Sequence, residues 1–292
     1  MFDRAAIIGP GLIGASIGLA LRENCLARWI VGIGRRRTSV EKALEVGAID
    51  HATIDLAAGL RDADLAVLAT PIGTFADLMP HVAQHMKAEA ILIDVASTKV
   101  RVIETVTSAL RGRPDVSYMP THPMAGSERS GPLAARANLF NGSVCIVTPL
   151  TNTFADVKSR ITRMWNAFGA RVVSMTPQAH DSLVARISHL PHLAAAALLG
   201  VVEATDTEFC GKGLIDTTRV ASGSPSLWID ICKANREQIH QSLTDYIALL
   251  QDMANALGMG HTGRLRAVLE DAKAKRDRFL AAREAPLPVD GD

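Results

Sequence analysis

Residues 119–131 read MPTHPMAGSERSG and set a histidine, His122, directly before a proline. The residue preceding a proline is pushed out of the helical region into extended backbone, so the imidazole stands at a strand end or a stiff turn with a fixed direction. A ring aimed in this way suits acid–base chemistry on a bound hydroxyl. A surface turn accounts for a His-Pro pair equally well, and the residues that accompany it must decide.

A second group of residues could hold an anion. Gly9-Pro10-Gly11-Leu12-Ile13-Gly14 is a GxGxxG that follows the apolar run AAII (5–8) and opens the segment ASIGLALRE. In that context Gly9 permits a tight turn, Gly11 lets the backbone approach a pyrophosphate, and Gly14 lets the helix pack on the strand, with the helix N-terminus facing the anion. Glycine turns also arise for steric reasons alone, so the dinucleotide reading rests on the flanking strand and helix and on the pattern that follows. The next strand, WIVGI (29–33), runs into Gly34-Arg35-Arg36-Arg37-Thr38-Ser39. No carboxylate stands where an NAD site wants one for the ribose hydroxyls, and arginine suits a 2′-phosphate. NADP is favoured over NAD. The competing reading of Arg35 and Arg36 is a solvated basic loop.

The elements that must carry these groups follow from periodicity. Short apolar runs AAII (5–8), WIVGI (29–33), LAVLAT (65–70), AILIDVA (90–96), VSYMPT (116–121) and VCIVT (144–148) alternate with helix-length amphipathic segments. This pattern predicts an α/β fold, a Rossmann-type doubly wound parallel sheet, closed by a helix near 153–168 and an edge strand at 170–175. Ligands of such a sheet lie outside the carboxyl ends of the strands. The residues following the strands are the glycine turn, the arginine loop, Thr70-Pro71, Ser97-Thr98-Lys99 and His122-Pro123, which places His122 on the cofactor edge.

After residue 175 the periodicity turns helical. The expected division is a dinucleotide-binding domain over 1–174, an all-helical substrate and dimerisation domain over 175–283, and a disordered tail over 284–292. In ISHLPHLAAAALL, His189 and His192 are three apart and project from neighbouring helix positions. That spacing also fits a metal grip or a hydrogen-bonded core pair, but no HExxH or cysteine partner accompanies it, so no metal is expected. GLIDTTRVASGSPSLWIDI sets Asp216, Arg219 and Trp228 among small residues. Arg219 either clamps a carboxylate bidentately or pairs with Asp216 to tie two helices. The alanine and leucine faces of this half are wider than a small bundle needs, which points to a second copy of the chain.

Bulk properties exclude several classes. The 292 residues carry a formal net charge of +1, which advertises no nucleic-acid or anionic-membrane partner and leaves a small-molecule site. The cysteines Cys25, Cys145, Cys210 and Cys232 have no CxxC spacing, as suits free thiols in a reducing cytoplasm. The apolar run at 5–21 is short and rich in glycine, and reads as strand, turn and helix, not as a membrane span or signal sequence.

With these residues assembled, the chain resembles the prephenate/arogenate (cyclohexadienyl) dehydrogenase family of tyrosine biosynthesis. The carriers are GPGLIG (9–14), DVASTK (94–99), THPMAGSERSG (121–131), SHLPH (188–192) and DTTRVASGSPSLW (216–228). The resemblance implies oxidative decarboxylation of prephenate or arogenate, with hydride passing to NAD(P). By position it implies His122 as the catalytic base at the C4 hydroxyl and Ser97 as its assistant. It further implies Arg219 on a substrate carboxylate, His192 on the side chain, and Ser127 and Glu128 at the mouth. Gly9, Gly11, Leu12, Ile13, Gly14, Gly34, Arg35, Arg36, Thr70 and Pro71 would line the cofactor site. It implies a homodimer formed through the helical half, and no appended amino-acid-binding module is expected. The rivals are another NADP-linked two-domain oxidoreductase, of β-hydroxyacid dehydrogenase or imine reductase type, and a non-catalytic dinucleotide sensor. The first would want a lysine or other acid at the helical junction, and the second has no use for His122 together with Arg219.

Overall fold

The computed structural model describes residues 1–127 and 129–284; the expectations for Glu128 and for a tail beyond Glu284 lie outside the described residues. The chain runs β1 (Phe2–Ile8), α1 (Leu12–Glu23), β2 (Ala27–Ile33), α2 (Arg37–Glu45), β3 (His51–Thr53), α3 (Leu56–Leu60), β4 (Leu65–Leu68), α4 (Phe75–His85), β5 (Ile91–Asp94), α5 (Val100–Ala109), β6 (Ser117–Pro123), β7 (Val144–Val147), α6 (Ala155–Ala167) and β8 (Arg171–Ser174). The helices α7 (Pro177–Val184), α8 (Leu190–Leu199), α9 (Lys212–Thr218), α10 (Pro225–Ala234), α11 (Arg236–Gly258) and α12 (Thr262–Glu284) follow. Two compact units result, one over Met1–Ile239 and one from His240 onward.

The strands form one sheet in the order β3-β2-β1-β4-β5-β6-β7-β8. Both faces are covered, and the strands show why. Ala5, Ile7, Leu65, Val67, Ile91 and Ile93 join one buried cluster, while their neighbours Ala6, Ile8, Ala66, Leu68 and Leu92 join another. Successive side chains point to opposite faces, so an unbroken apolar run is what a sheet buried on both sides requires. The strand order reverses between β1 and β4, and beyond the carboxyl ends at such a switch point open α/β sheets bind their ligands.

Two features differ from the sequence expectation. A three-residue strand, β3, pairs in parallel with β2 at the edge; HAT is too short and too polar to stand out as an apolar run. β7 runs antiparallel to β6, with His122 opposite Ile146. The connection over 124–143 holds Gly126, Gly131, Pro132 and Gly142, and its described residues form two short 3₁₀ turns. Parallel strands need a long crossover, usually helical; the described residues of this segment form no such helix, and the chain returns in the opposite direction.

The run Pro177–Leu199 is long and apolar enough to cross a membrane by length and composition. It also carries His180, Asp181, His189 and His192, all buried, and His180 and Asp181 are hydrogen-bonded to β6 and to the start of α5. That polar load fits a helix packed within the protein. Between α7 and α8 the backbone widens into one π-helical turn over Ala185–His189. Proline lacks an N–H and clashes with the preceding turn; the widened turn sits just ahead of Pro191 and accommodates it. Such turns are rare and recur at functional sites.

Candidate active site

The glycine turn is built as its spacing predicts. Gly9 has φ of +87°, and a Cβ there would lie 2.7 Å from Thr70 Cγ2 and 2.9 Å from the Ala69 carbonyl oxygen. Only glycine combines that backbone with that contact. A Cβ on Gly14 would meet the Gly9 carbonyl oxygen at 2.5 Å, so α1 can lie against β1 only without one. Around Gly11, by contrast, a Cβ would meet nothing within 4 Å. Gly11 caps α1 without a side-chain hydrogen bond, and no acidic residue occupies the first turn. The helix start is left with free space at Gly11, no side-chain cap and a positive dipole end, and the residues present fit a dinucleotide pyrophosphate.

At the end of β2, Gly34 donates its N–H to the Thr53 carbonyl at 3.1 Å. A Cβ at this position would come within 2.6 Å of Val40 Cγ1, so an acid could replace this glycine only if the Val40 side chain gave way. Arg35 and Arg36 are exposed, and the first turn of α2 has no acidic residue. Thr70, half-buried at the end of β4, accepts a hydrogen bond from the Thr74 hydroxyl at 2.9 Å; Pro71 follows and is exposed.

His122 sits within β6 one residue from its end, 8% exposed. Its Nδ1 lies 2.8 Å from His180 Nε2, and His180 Nδ1 lies 2.8 Å from Asp181 Oδ1. Thr176 caps α7 by accepting the Ala179 N–H, with Pro177 in the first turn. This start signal is legible in the sequence, and it presents His180 and Asp181 from the first turn of α7. Burial pushes the His122 imidazole well below the ordinary histidine range, and the neighbouring His180, Lys99 and His189 add to the effect. His122 is therefore a neutral ring at neutral pH.

Two residues of the DVASTK run form a second, buried polar cluster. Lys99 and Asp94 are fully buried and pair at 2.5 Å. Asp94 Oδ2 accepts the Tyr118 hydroxyl at 2.7 Å, and Asp94 Oδ1 accepts the Ala96 N–H at 2.9 Å. The Asp94 carbonyl accepts the Thr121 hydroxyl at 2.5 Å. This network joins the ends of β5 and β6, the strand that carries the ring. Ser97 is half-buried on the loop between β5 and α5.

On the helical side, His192 stacks on Trp228 with ring centroids 3.5 Å apart and planes 10° apart. Gly223 keeps that stack open, since a Cβ there would overlap Trp228 Nε1 and stand 3.2 Å from His192 Cε1. His189 meets the same Trp228 edge-on, with centroids 6.0 Å apart and planes 85° apart; its Nδ1 lies 3.3 Å from Asn235 Nδ2, and burial lowers it to about 4. The two histidines thus share the indole but use it differently, and only His189 reaches Asn235. Arg219, exposed, opens the turn Arg219–Ser222 after α9. Ser127 is exposed on the loop after β6, where its hydroxyl accepts the Arg129 N–H at 3.2 Å.

The comparisons agree with this geometry. Residues 17–174 match the family described as prephenate dehydrogenase, nucleotide-binding domain, and residues 176–271 match prephenate dehydrogenase, dimerization domain. A cyclohexadienyl dehydrogenase of Zymomonas mobilis is 32% identical over 88% of this chain and 89% of its own length. A prephenate dehydrogenase of Bacillus subtilis is 29% identical over 99% of this chain and 79% of its own. The crystal structure of prephenate dehydrogenase from A. aeolicus in complex with hydroxyphenyl propionate and NAD+ superposes with a TM-score of 0.87 at 26% identity, covering 96% of this chain and 99% of that one. An eight-stranded doubly wound sheet with a glycine turn at its switch point, a buried histidine on its ligand edge, and matches over both halves have one common account: the chain belongs to the prephenate/arogenate dehydrogenase family of NAD(P)-dependent oxidoreductases.

Proposed function

We propose that this site carries out the oxidative decarboxylation of prephenate, arogenate or both, with His122 taking the proton of the C4 hydroxyl. The observation that supports this most is a buried, neutral imidazole at the carboxyl end of β6, on the sheet edge that also carries the glycine turn. A bound nicotinamide would accept the hydride that leaves C4, and the residues of the glycine turn with Thr70 and Pro71 would hold its dinucleotide. The chain's own tasks are to orient the ring and to manage one proton, because loss of carbon dioxide and aromatisation supply the driving force. Ser97 assists at the hydroxyl, Arg219 pairs with a substrate carboxylate, His192 on its Trp228 platform meets the side chain, and Ser127 lines the mouth.

Residues 1–174 serve the cofactor and residues 175–283 the substrate and the second copy of the chain. Exposed Leu199, Val201, Phe209 and Ile215, and exposed Leu257 and Phe279 in the second unit, offer apolar surface for that copy. The free cysteines suit a cytoplasmic setting. Steady-state rates on purified protein with prephenate and arogenate, each with NAD+ and NADP+, test the proposal; turnover with neither substrate would refute it.

NADP is the cofactor that the arginine loop favours. The double substitution Arg35→Ala, Arg36→Ala weakens NADP at least about tenfold more than NAD, the scale of one or two lost charge-assisted hydrogen bonds. Equal losses for both cofactors in titrations would assign the arginines to a solvated loop. Arg219→Ala raises the Michaelis constant for substrate by about tenfold or more on the same scale. An unaltered constant with a lowered melting temperature would make Arg219 a structural tie.

A further inference from the structure

The contacts of Asp181 determine where protons sit on two histidines. Asp181 Oδ1 accepts the Lys99 N–H at 2.7 Å and Oδ2 accepts the Val100 N–H at 2.9 Å. These are the cap and first amides of α5, which has no side-chain cap of its own. A carboxylate so placed beside a helix N-terminus is an acceptor only. Its 2.8 Å contact with His180 therefore needs an N–H on His180 Nδ1. Neutral imidazole carries one N–H, so His180 Nε2 is left as an acceptor. The 2.8 Å contact between His180 Nε2 and His122 Nδ1 then needs an N–H on His122 Nδ1. By elimination, His122 Nε2 carries no proton.

We propose that Asp181 and His180 are positioning residues that hold His122 in the Nδ1–H tautomer, so that Nε2 is the atom that receives the hydroxyl proton. The inference rests on reading His122 as the base. The opposite arrangement needs His180 to be a cation donating from both nitrogens. His180 is fully buried, and the charged groups around the two rings are Lys99 of α5, Asp94 of β5 and Asp181 of α7, with His189 of the π-helical turn close by. Burial and Lys99 oppose a cation on His180 more than Asp181 and Asp94 favour it. When Nε2 takes its proton, the ring becomes an imidazolium whose Nδ1–H still points at His180. His180 in turn points its own N–H at Asp181, so the new positive charge faces a fixed carboxylate through one intervening ring. The order of groups matches the base, orienter and acid logic of nucleophile triads, lengthened by one histidine.

Asparagine at position 181 can turn an N–H toward His180 Nδ1, which would reverse both tautomers and leave His122 with its proton on Nε2. Asp181→Asn in the full-length protein should lower kcat about 100-fold, with cofactor affinity within twofold of the parent, and Asp181→Glu should recover part of the loss. If the variant does not fold, the unsubstituted protein decides. With ¹⁵N-labelled histidine, the resonances assigned to His122 by their loss in His122→Asn should show a protonated Nδ1 and an unprotonated Nε2 at neutral pH. An Nε2–H tautomer, or Asp181→Asn turning over like the parent, overturns the proposal. His122→Asn turning over like the parent is a different failure, since it removes the base itself.

Discussion

Replacing His122 by asparagine lowers turnover by on the order of a hundredfold or more, the contribution of a positioned general base, while cofactor affinity stays within about twofold. The separation follows from the fold. His122 belongs to β6 and faces His180 of α7, whereas the proposed dinucleotide site is the turn after β1 and the arginine loop after β2. Asparagine retains a polar side chain toward His180 but has no lone-pair nitrogen for the hydroxyl proton. Rapid-quench turnover beside a cofactor titration checks both halves. Unchanged turnover would remove the histidine from the mechanism, and a parallel loss of cofactor affinity would show that the substitution had disturbed the sheet edge.

Lys99→Met should be the most destabilising single change near the site, by about 3–5 kcal/mol, because removing one partner of a buried ion pair strands the other charge. Neither Lys99 nor Asp94 exposes side-chain surface. The Tyr118 hydroxyl and the Ala96 N–H remain on Asp94, which sets the lower end of that range. Replacing both partners, Lys99→Met with Asp94→Asn, should recover much of the loss, since both buried charges are then gone while the amide oxygen still accepts the Ala96 N–H and the amide NH₂ can donate to the Tyr118 hydroxyl oxygen. Urea unfolding of the two variants tests this, and a double variant as unstable as the single one would contradict it. A second consequence is electrostatic. Lys99 helps hold the His122 imidazole below its ordinary value, so its loss moves the acid limb of activity upward in pH.

What was legible in the sequence was local. The glycine turn could be read because its three glycines answer steric demands within one strand, one turn and one helix, and Gly9 and Gly14 meet those demands in the structure. The six apolar runs could be read because strands buried on both faces need no alternation. The strand HAT at 51–53 could not, since three residues carry no period. The reversal of β7 depends on what the loop over 124–143 fails to form, which is hard to read from composition. Within the site, His122 was legible through Pro123, but its partners were not. His180 and Asp181 sit in a segment, QAHDSLV, whose periodicity is merely helical; Asp181 becomes the partner of Lys99 and Val100 only across 82 and 81 residues, and His180 the partner of His122 across 58. The available signal was an adjacent His-Asp pair one turn after a Thr-Pro helix start. Lys99 and Asp94 lay inside a quoted motif, but burial of both charges is a property of the fold, not of the spacing.

The most direct test is the pH dependence of kcat/KM, which reports the essential base of the free enzyme. A neutral His122 with its value lowered by burial is active above that value and inactive below it. Activity should fall on the acid side as one proton is taken up with a midpoint below 6.5, the ordinary histidine value, and this limb should be missing from the residual activity of His122→Asn. A limb centred at or above 6.5, or one that persists unchanged in His122→Asn, would contradict the account.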